Sequence, residues 1–269
     1  MSADLATYWR HPALPGVELL RARFVRHSFT LHAHAEYAFA AISAGVEEWT
    51  AEGRTYRAGP GALVLVNPEI PHTGHAGVPE GWRYRSIYPS VEAVTAVARE
   101  LGWRGGTPWF PEAILADPAG YQLLRTASRA AEVGDDLAAS SALHALLVAV
   151  LTRHAGLSSP RRAAPLAVAR ARELLHERIA EPPSLTELAG EVGLGPHALH
   201  RAFRAATGLP PHTYLVQERV RRARGLLAAG RRPAEVAAEV GFADQAHLTR
   251  HFRKYLGVPP GEYRRSSGL

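Results

Sequence analysis

GFADQAHLTRHFRKYLGVPPGEYR, residues 241–264, decides how this chain of 269 residues is read. Gly241 and Phe242 close one short helix, Ala243 to Gln245 turn, and Ala246 to Tyr255 form a second helix with Leu248 and Phe252 on one apolar face. Gln245, Thr249, Arg250, Arg253 and Lys254 cover the remaining sides with polar, mainly basic groups. Taken alone, such a helix either turns its basic side to solvent or meets an anion such as DNA.

A second copy lies upstream. SLTELAGEVGL, Ser184 to Leu194, aligns with RPAEVAAEVGF, Arg232 to Phe242, at an offset of 48. LHRAFRAATGLPPHTY, Leu199 to Tyr214, aligns with LTRHFRKYLGVPPGEY, Leu248 to Tyr263, at an offset of 49, so the copies differ by one residue in the turn. Each copy holds what a helix-turn-helix requires: an apolar first helix with a small Ala189 or Ala237 for close crossing, Gly193 or Gly241 to end it, and a Leu-x-x-x-Phe anchor in the second helix. Leu215 to Ala229, with Val216, Val220, Ala223, Leu226 and Leu227 on one side, reads as the helix connecting them.

The charge is divided in the same way. From Arg161 onward 18 Lys or Arg stand against 10 Asp or Glu, +8, while the preceding residues sum to −2, so an anionic partner belongs to the C-terminal part. No cysteine is present, which excludes disulfides, thiolate metal sites and cysteine nucleophiles. The N-terminus lacks a basic start followed by an apolar run, and the most apolar stretch, Ala142 to Leu151, is short and contains His144. The expectation is a soluble cytoplasmic protein without a membrane span.

Between Arg23 and Tyr88 the pattern changes to short strands: FVRHSFTL, EYAFAAIS, VEEWTAEG, RTYRAG, ALVLVN and WRYRSIYP, with turns at Gly45, Gly53, Gly59, Gly61, Pro68 and Pro71. These predict a small antiparallel barrel or sandwich. His32 and His34 fall on one face of a strand, and a third histidine, His72, comes from another, so the set suits either a metal or the polar wall of an organic-ligand pocket. Helices are expected at Val91 to Leu101, Ala119 to Val133 and Asp136 to His154, and the Gly156 to Pro165 stretch GLSSPRRAAP reads as a linker. The first twenty residues show too little pattern for a domain and are expected to form an arm.

HAHAEYAFAAISAG, the Gly59 to Gly61 turn and LVLVNPEIPHTGHA together resemble the cupin domain used for sensing in AraC-type regulators, and Pro165 to Arg265 resembles the double helix-turn-helix of the same AraC/XylS family. The resemblance implies an α+β chain: a cupin-like antiparallel barrel plus helices over residues 1–155, a linker over 156–165, and an all-α DNA-binding domain over 166–269. It implies a ligand-responsive transcription regulator, commonly an activator, with promoter DNA, RNA polymerase and a small-molecule effector as partners and no cofactor. The helices after the barrel are expected to pack in cis or to form a homodimer seam. Matched through the Leu-x-x-x-Phe anchors, the family's base-reading positions fall on His197, His200 and Arg201 in the first copy, and on Gln245, Ala246, Thr249 and Arg250 in the second. Arg204, Arg253 and Lys254 are expected on phosphate. In the first copy Gly195 stands where the family commonly has a serine N-cap.

Alternation along the strands offers His32, His34, Glu36, Trp49, His72, Trp82 and Tyr84 as pocket-lining candidates. Metal-binding cupins carry a carboxylate four or five residues after the second histidine of the first motif, where this chain has Ala38 and Phe39; Glu36 is out of that register but shares the face of His32 and His34 on a flat strand. The alternative to a regulator is a metal-dependent cupin enzyme with an accessory helical domain. A DNA-repair methyltransferase fused to this domain is excluded, since it needs an acceptor cysteine.

Overall fold

A computed structural model describes residues 4–155 and 165–267, and the chain divides into two compact units near residue 161. The expected linker lies outside the described residues, apart from Pro165.

The first unit begins with two strands, β1 (Leu5–Arg10) and β2 (Val17–Phe24), where only an arm was expected. It continues through β3 (Phe29–His32), β4 (Ala38–Gly45), β5 (Glu47–Ala51), β6 (Arg54–Ala58), β7 (Leu63–Val66), β8 (His72–Ala76), β9 (Trp82–Pro89) and the short β10 (Ile114–Leu115). They form two antiparallel sheets, ordered β1-β2-β9-β4-β7-β10 and β3-β8-β5-β6. Side-chain alternation sorts the larger sheet: Leu19, Phe39, Leu63, Leu65 and Ile87 join the core shared with the helices. Its other face carries Phe24, Trp82 and Tyr84 toward the smaller sheet, where Phe29 meets Trp82 at 6.5 Å between ring centroids.

Three helices cover the outer face: α1 (Val91–Glu100), α2 (Pro118–Val133) and α3 (Asp136–His154). Each is started by a side chain accepting from an orphan backbone N–H: Ser90 from Ala93, Asp117 from Gly120 and Asp135 from Ala138. The expectation that no segment approaches a membrane span needs correction, because α3 has the length and hydropathy of one. Its apolar residues Ala139, Leu143, Leu146, Leu147, Val150 and Leu151 are buried in the protein's own core, and a helix packed on more than one side is apolar on more than one side.

Asp117 also ties the start of α2 to the end of α3, accepting from Arg153 at 2.7 Å and His154 at 2.9 Å. Burial alone would raise its carboxyl, but the Gly120 N–H, His154 and Arg153 together hold it below the ordinary 3.8. A depressed acid stabilises the fold above its unfolded value and loses that contribution as pH falls through the folded value. Asp117→Asn should therefore lower the melting temperature at neutral pH and change little at about pH 2, as thermal melts at both values would show.

The second unit is helical: α4 (Leu166–Glu177), α5 (Leu185–Glu191), α6 (Pro196–Thr207), α7 (Pro211–Ala228), α8 (Pro233–Glu239), α9 (Gln245–Leu256) and α10 (Pro260–Ser267). The connecting helix α7 starts four residues before the expected Leu215, since a proline is well suited to the first helical turn. The repeat extends to packing. Phe203 meets Tyr214 edge-on at 5.3 Å and 74°, and Phe252 meets Tyr263 at 5.3 Å and 71°.

Candidate nucleic-acid interface and sensing pocket

Helices α6 and α9 occupy equivalent places in the two copies, each seated by its buried Leu and Phe: Leu199 and Phe203, Leu248 and Phe252. Asp244 caps α9 by accepting from the His247 N–H at 2.6 Å. Gly195 caps α6 in the extended conformation without a side-chain bond, as its lack of a hydroxyl dictates. With the anchors turned inward, Arg201, Arg204, Gln245, Ala246, Arg250, Arg253 and Lys254 are exposed.

Thr249 is half-buried, and its hydroxyl donates to the Gln245 carbonyl at 2.7 Å, which leaves the methyl group for an apolar contact. His200 is half-buried too. It lines a 300 Å³ apolar groove with Pro182, Pro183, Leu185, Pro210 and Pro211, so part of its ring looks toward the body of the unit. The side chain of His197 lies outside the described residues.

The electrostatic contrast between helices is sharper than the sequence suggested. Arg170 bonds Glu173 at 3.0 Å, Arg178 bonds Glu191 at 2.7 Å, and Arg231 bonds Glu239 at 3.0 Å. The side chains of Arg201, Arg204, Arg250, Arg253 and Lys254 make no hydrogen bond or ion pair among the described residues. Neither α6 nor α9 has a basic side chain neutralised in this way, and Arg222 of α7 and Arg264 and Arg265 of α10 share that condition.

Two features beneath α9 were not anticipated. His251 stacks on Phe242 at 5.6 Å, and burial, followed by the charges of His247, Lys254, His212 and Arg250, brings it down to about 4, so the ring is neutral near pH 7. Arg219, which lies off the apolar side of α7 in the sequence, is buried. It donates to the carbonyls of Ile179 and Ala180 at 2.9 and 3.1 Å and lies over the Phe242 ring at 5.8 Å, clasping the end of the first bundle to the turn of the second motif. A helical arginine at this position gives no periodicity signal beyond a break in polarity.

In the first unit the seven pocket candidates separate. His32, His34 and His72 converge, with ring centroids 4.4 to 5.1 Å apart. Strand β3 ends at His32, however, so His34 and Glu36 stand on the irregular segment that follows and do not share a strand face with it, contrary to expectation. Glu36 lines a different space, a 470 Å³ cleft with Arg10, Glu18 and Tyr88. Trp49 is buried and stacked on Tyr56 at 5.2 Å, while Trp82 and Tyr84 stack on each other at 6.1 Å between the sheets.

The Nδ1 of His32 lies 2.8 Å from the Thr30 carbonyl and that of His72 lies 2.8 Å from the Ile70 carbonyl. A carbonyl can only accept, so both Nδ1 atoms carry the proton. Burial, then the neighbouring His72, lowers His32 to about 3, and burial lowers His72 as well. Both are neutral at physiological pH. The candidate ligand atoms of the trio lie within 4.8 Å of one another, whereas nitrogens around a tetrahedral ion sit roughly 3.4 Å apart. The backbone of His72 also holds His32, and Glu36 is elsewhere. As placed, the trio fits a polar pocket wall better than a metal centre.

Residues 14–147 match the family model of an AraC-like ligand binding domain, and residues 188–266 match that of a helix-turn-helix domain. The HTH-type transcriptional regulator YbfI of Bacillus subtilis is 27% identical over 242 residues, 86% of either chain. GbdR of Pseudomonas aeruginosa, another HTH-type transcriptional regulator, is 33% identical over 97 residues, which are 36% of this chain and 26% of that protein. The crystal structure of ToxT from Vibrio cholerae shares the fold over 98% of this chain and 97% of its own, with a TM-score of 0.59 at 12% identity. YbfI and GbdR are named as transcriptional regulators, and neither supports the enzyme alternative.

Proposed function

Because the chain belongs to the AraC family of transcription regulators, we propose that α6 and α9 read promoter DNA in successive major grooves while the space between the two sheets receives an effector. The observation that carries this reading is the exposed, unpaired basic charge that α6 and α9 both present while their Leu and Phe anchors are buried. Arg201 and Arg250 take guanine O6 and N7, Gln245 takes adenine N6 and N7, and Ala246 and the Thr249 methyl group meet thymine methyls. His200 contributes through its exposed edge, and His197 is retained from the family match alone. Arg204, Arg253 and Lys254 hold phosphate.

His32, His34, His72, Trp49, Trp82 and Tyr84 form the effector chamber, with Glu36 at the separate cleft. The effector favours one arrangement of domains 1–155 and 166–269 across the linker 156–165, and it shifts that equilibrium only by its difference in affinity for the two states. Activation through RNA polymerase, a homodimer and a cytoplasmic location complete the reading.

Footprinting on the DNA upstream of the gene tests it: two protected segments about one helical turn apart are expected, and a single segment or none defeats it. The same binding assay at several salt concentrations checks the phosphate assignment. Arg253→Ala and Lys254→Ala should each reduce the slope of log affinity against log salt by about 1, with the preferred sequence unchanged. A thermal-shift screen of metabolites addresses the effector, since a ligand at 100 times its Kd adds about 2.7 kcal/mol of stability.

A further inference from the structure

Glu47 opens β5 on the side of the strand that carries the buried Trp49 and Ala51, so its carboxylate is turned between the two sheets. Its neighbour Glu48 points the other way and pairs with Arg57 at 3.5 Å and His75 at 3.4 Å. The Glu47 side chain makes no hydrogen bond or ion pair among the described residues. A Cβ placed on Gly74 would lie 3.6 Å from Glu47 Oε1 and 3.3 Å from the Phe29 ring, so both side chains lie close over the bare backbone of Gly74 and close to one another.

From the facing sheet comes Tyr84, near enough that the Glu47 charge, after burial and the other tyrosines, contributes to raising its hydroxyl. Trp82 stacks on Tyr84 and meets Phe29. A carboxylate among aromatic rings, with no cation beside it, is an unfavourable burial, and it drives the group up to about 7. The indole N–H groups of Trp49 and Trp82 likewise have no acceptor among the described residues.

Resting on the reading that the space between the sheets receives the effector, we propose that Glu47 anchors a cationic nitrogen, so that the effector is a small organic amine or quaternary ammonium compound lodged against Phe29, Trp82 and Tyr84. The charge neutralises the carboxylate, and ring faces attract a cation with their negative quadrupole. The neutral histidines at the other part of the interior supply polar contacts without repelling it.

Two pairs of probes of matched shape test the assignment on the full chain: choline with 3,3-dimethylbutan-1-ol, and benzylamine with benzyl alcohol. Affinities are measured by calorimetry for the wild type and Glu47→Gln, whose circular dichroism spectrum and melting temperature verify folding. In at least one pair the cation should bind about tenfold or more tightly than its neutral partner, and Glu47→Gln should erase that preference. Alcohols that bind as well as the amines, unaffected by Glu47→Gln, overturn the cation assignment and leave the chamber in place. Retention of the preference in Glu47→Gln overturns the role of Glu47. If no probe binds, the proposal falls, and the wider metabolite screen decides separately whether the chamber is an effector site.

Discussion

Gly241→Ala destabilises the DNA-binding unit by about 3 kcal/mol and lowers its melting temperature by roughly 10 °C or more. Gly241 holds φ at +85°, where an L side chain is strained. A Cβ there would stand 2.5 Å from the Ala180 carbonyl oxygen, 2.6 Å from the Ala180 Cα and 2.7 Å from an Arg219 guanidinium nitrogen. Two of those atoms are backbone and the third is already bound, so neither side can move without breaking the clasp. The repeat supplies its own control. Gly193, the equivalent residue in the first copy, has φ +70° and nothing within 4 Å of an added Cβ, so Gly193→Ala should cost only the conformational term, about 1 kcal/mol. Thermal melts of both variants decide the matter, and equal losses would show that the close approach at Gly241 is not the cause.

Arg250→Ala should cost about 1 to 3 kcal/mol of specific DNA affinity, and should relax preference at one base position while leaving binding to random DNA nearly unchanged. The guanidinium is exposed and makes no internal bond that its removal would break. Leu248 and Phe252 keep α9 seated without it, so stability should be unaffected. Competition binding against a library of single-base variants of the footprinted site reads the result. A uniform loss at every position would move Arg250 to the phosphate group of contacts.

The double helix-turn-helix was legible because its signals are local: a buried Leu and Phe four apart, a glycine ending the first helix, and the same set 48 or 49 residues later. Strand β2 was not legible because it finds a partner in β9, with Leu20 opposite Ser86, a pairing no local window contains, and β1 hangs on the outer edge of β2. The convergence of His32 and His72 followed from strand register, but His34 arrives by way of an irregular segment, which strand parity could not foresee. Glu47 and Glu48 are adjacent acids in one strand, and only parity with Trp49 and Ala51 separates them, placing Glu47 inward where the polarity of an acid argues the opposite. Arg219 reads as one more arginine on a basic helix; only the carbonyls it meets from 39 and 40 residues away distinguish it.

The Arg219 clasp bears on how target promoters can change over time. Holding the end of the first bundle against the turn of the second motif, it leaves the two reading helices little freedom to slide or rotate independently. One inserted base pair turns the second groove by about 35° and displaces it by about 3.4 Å, beyond what a side chain can absorb. In the grammar of such a promoter, letters are negotiable and spacing is syntax: substitutions can be matched by exchanging a residue on α6 or α9, whereas an insertion between the two half-sites demands a different hinge.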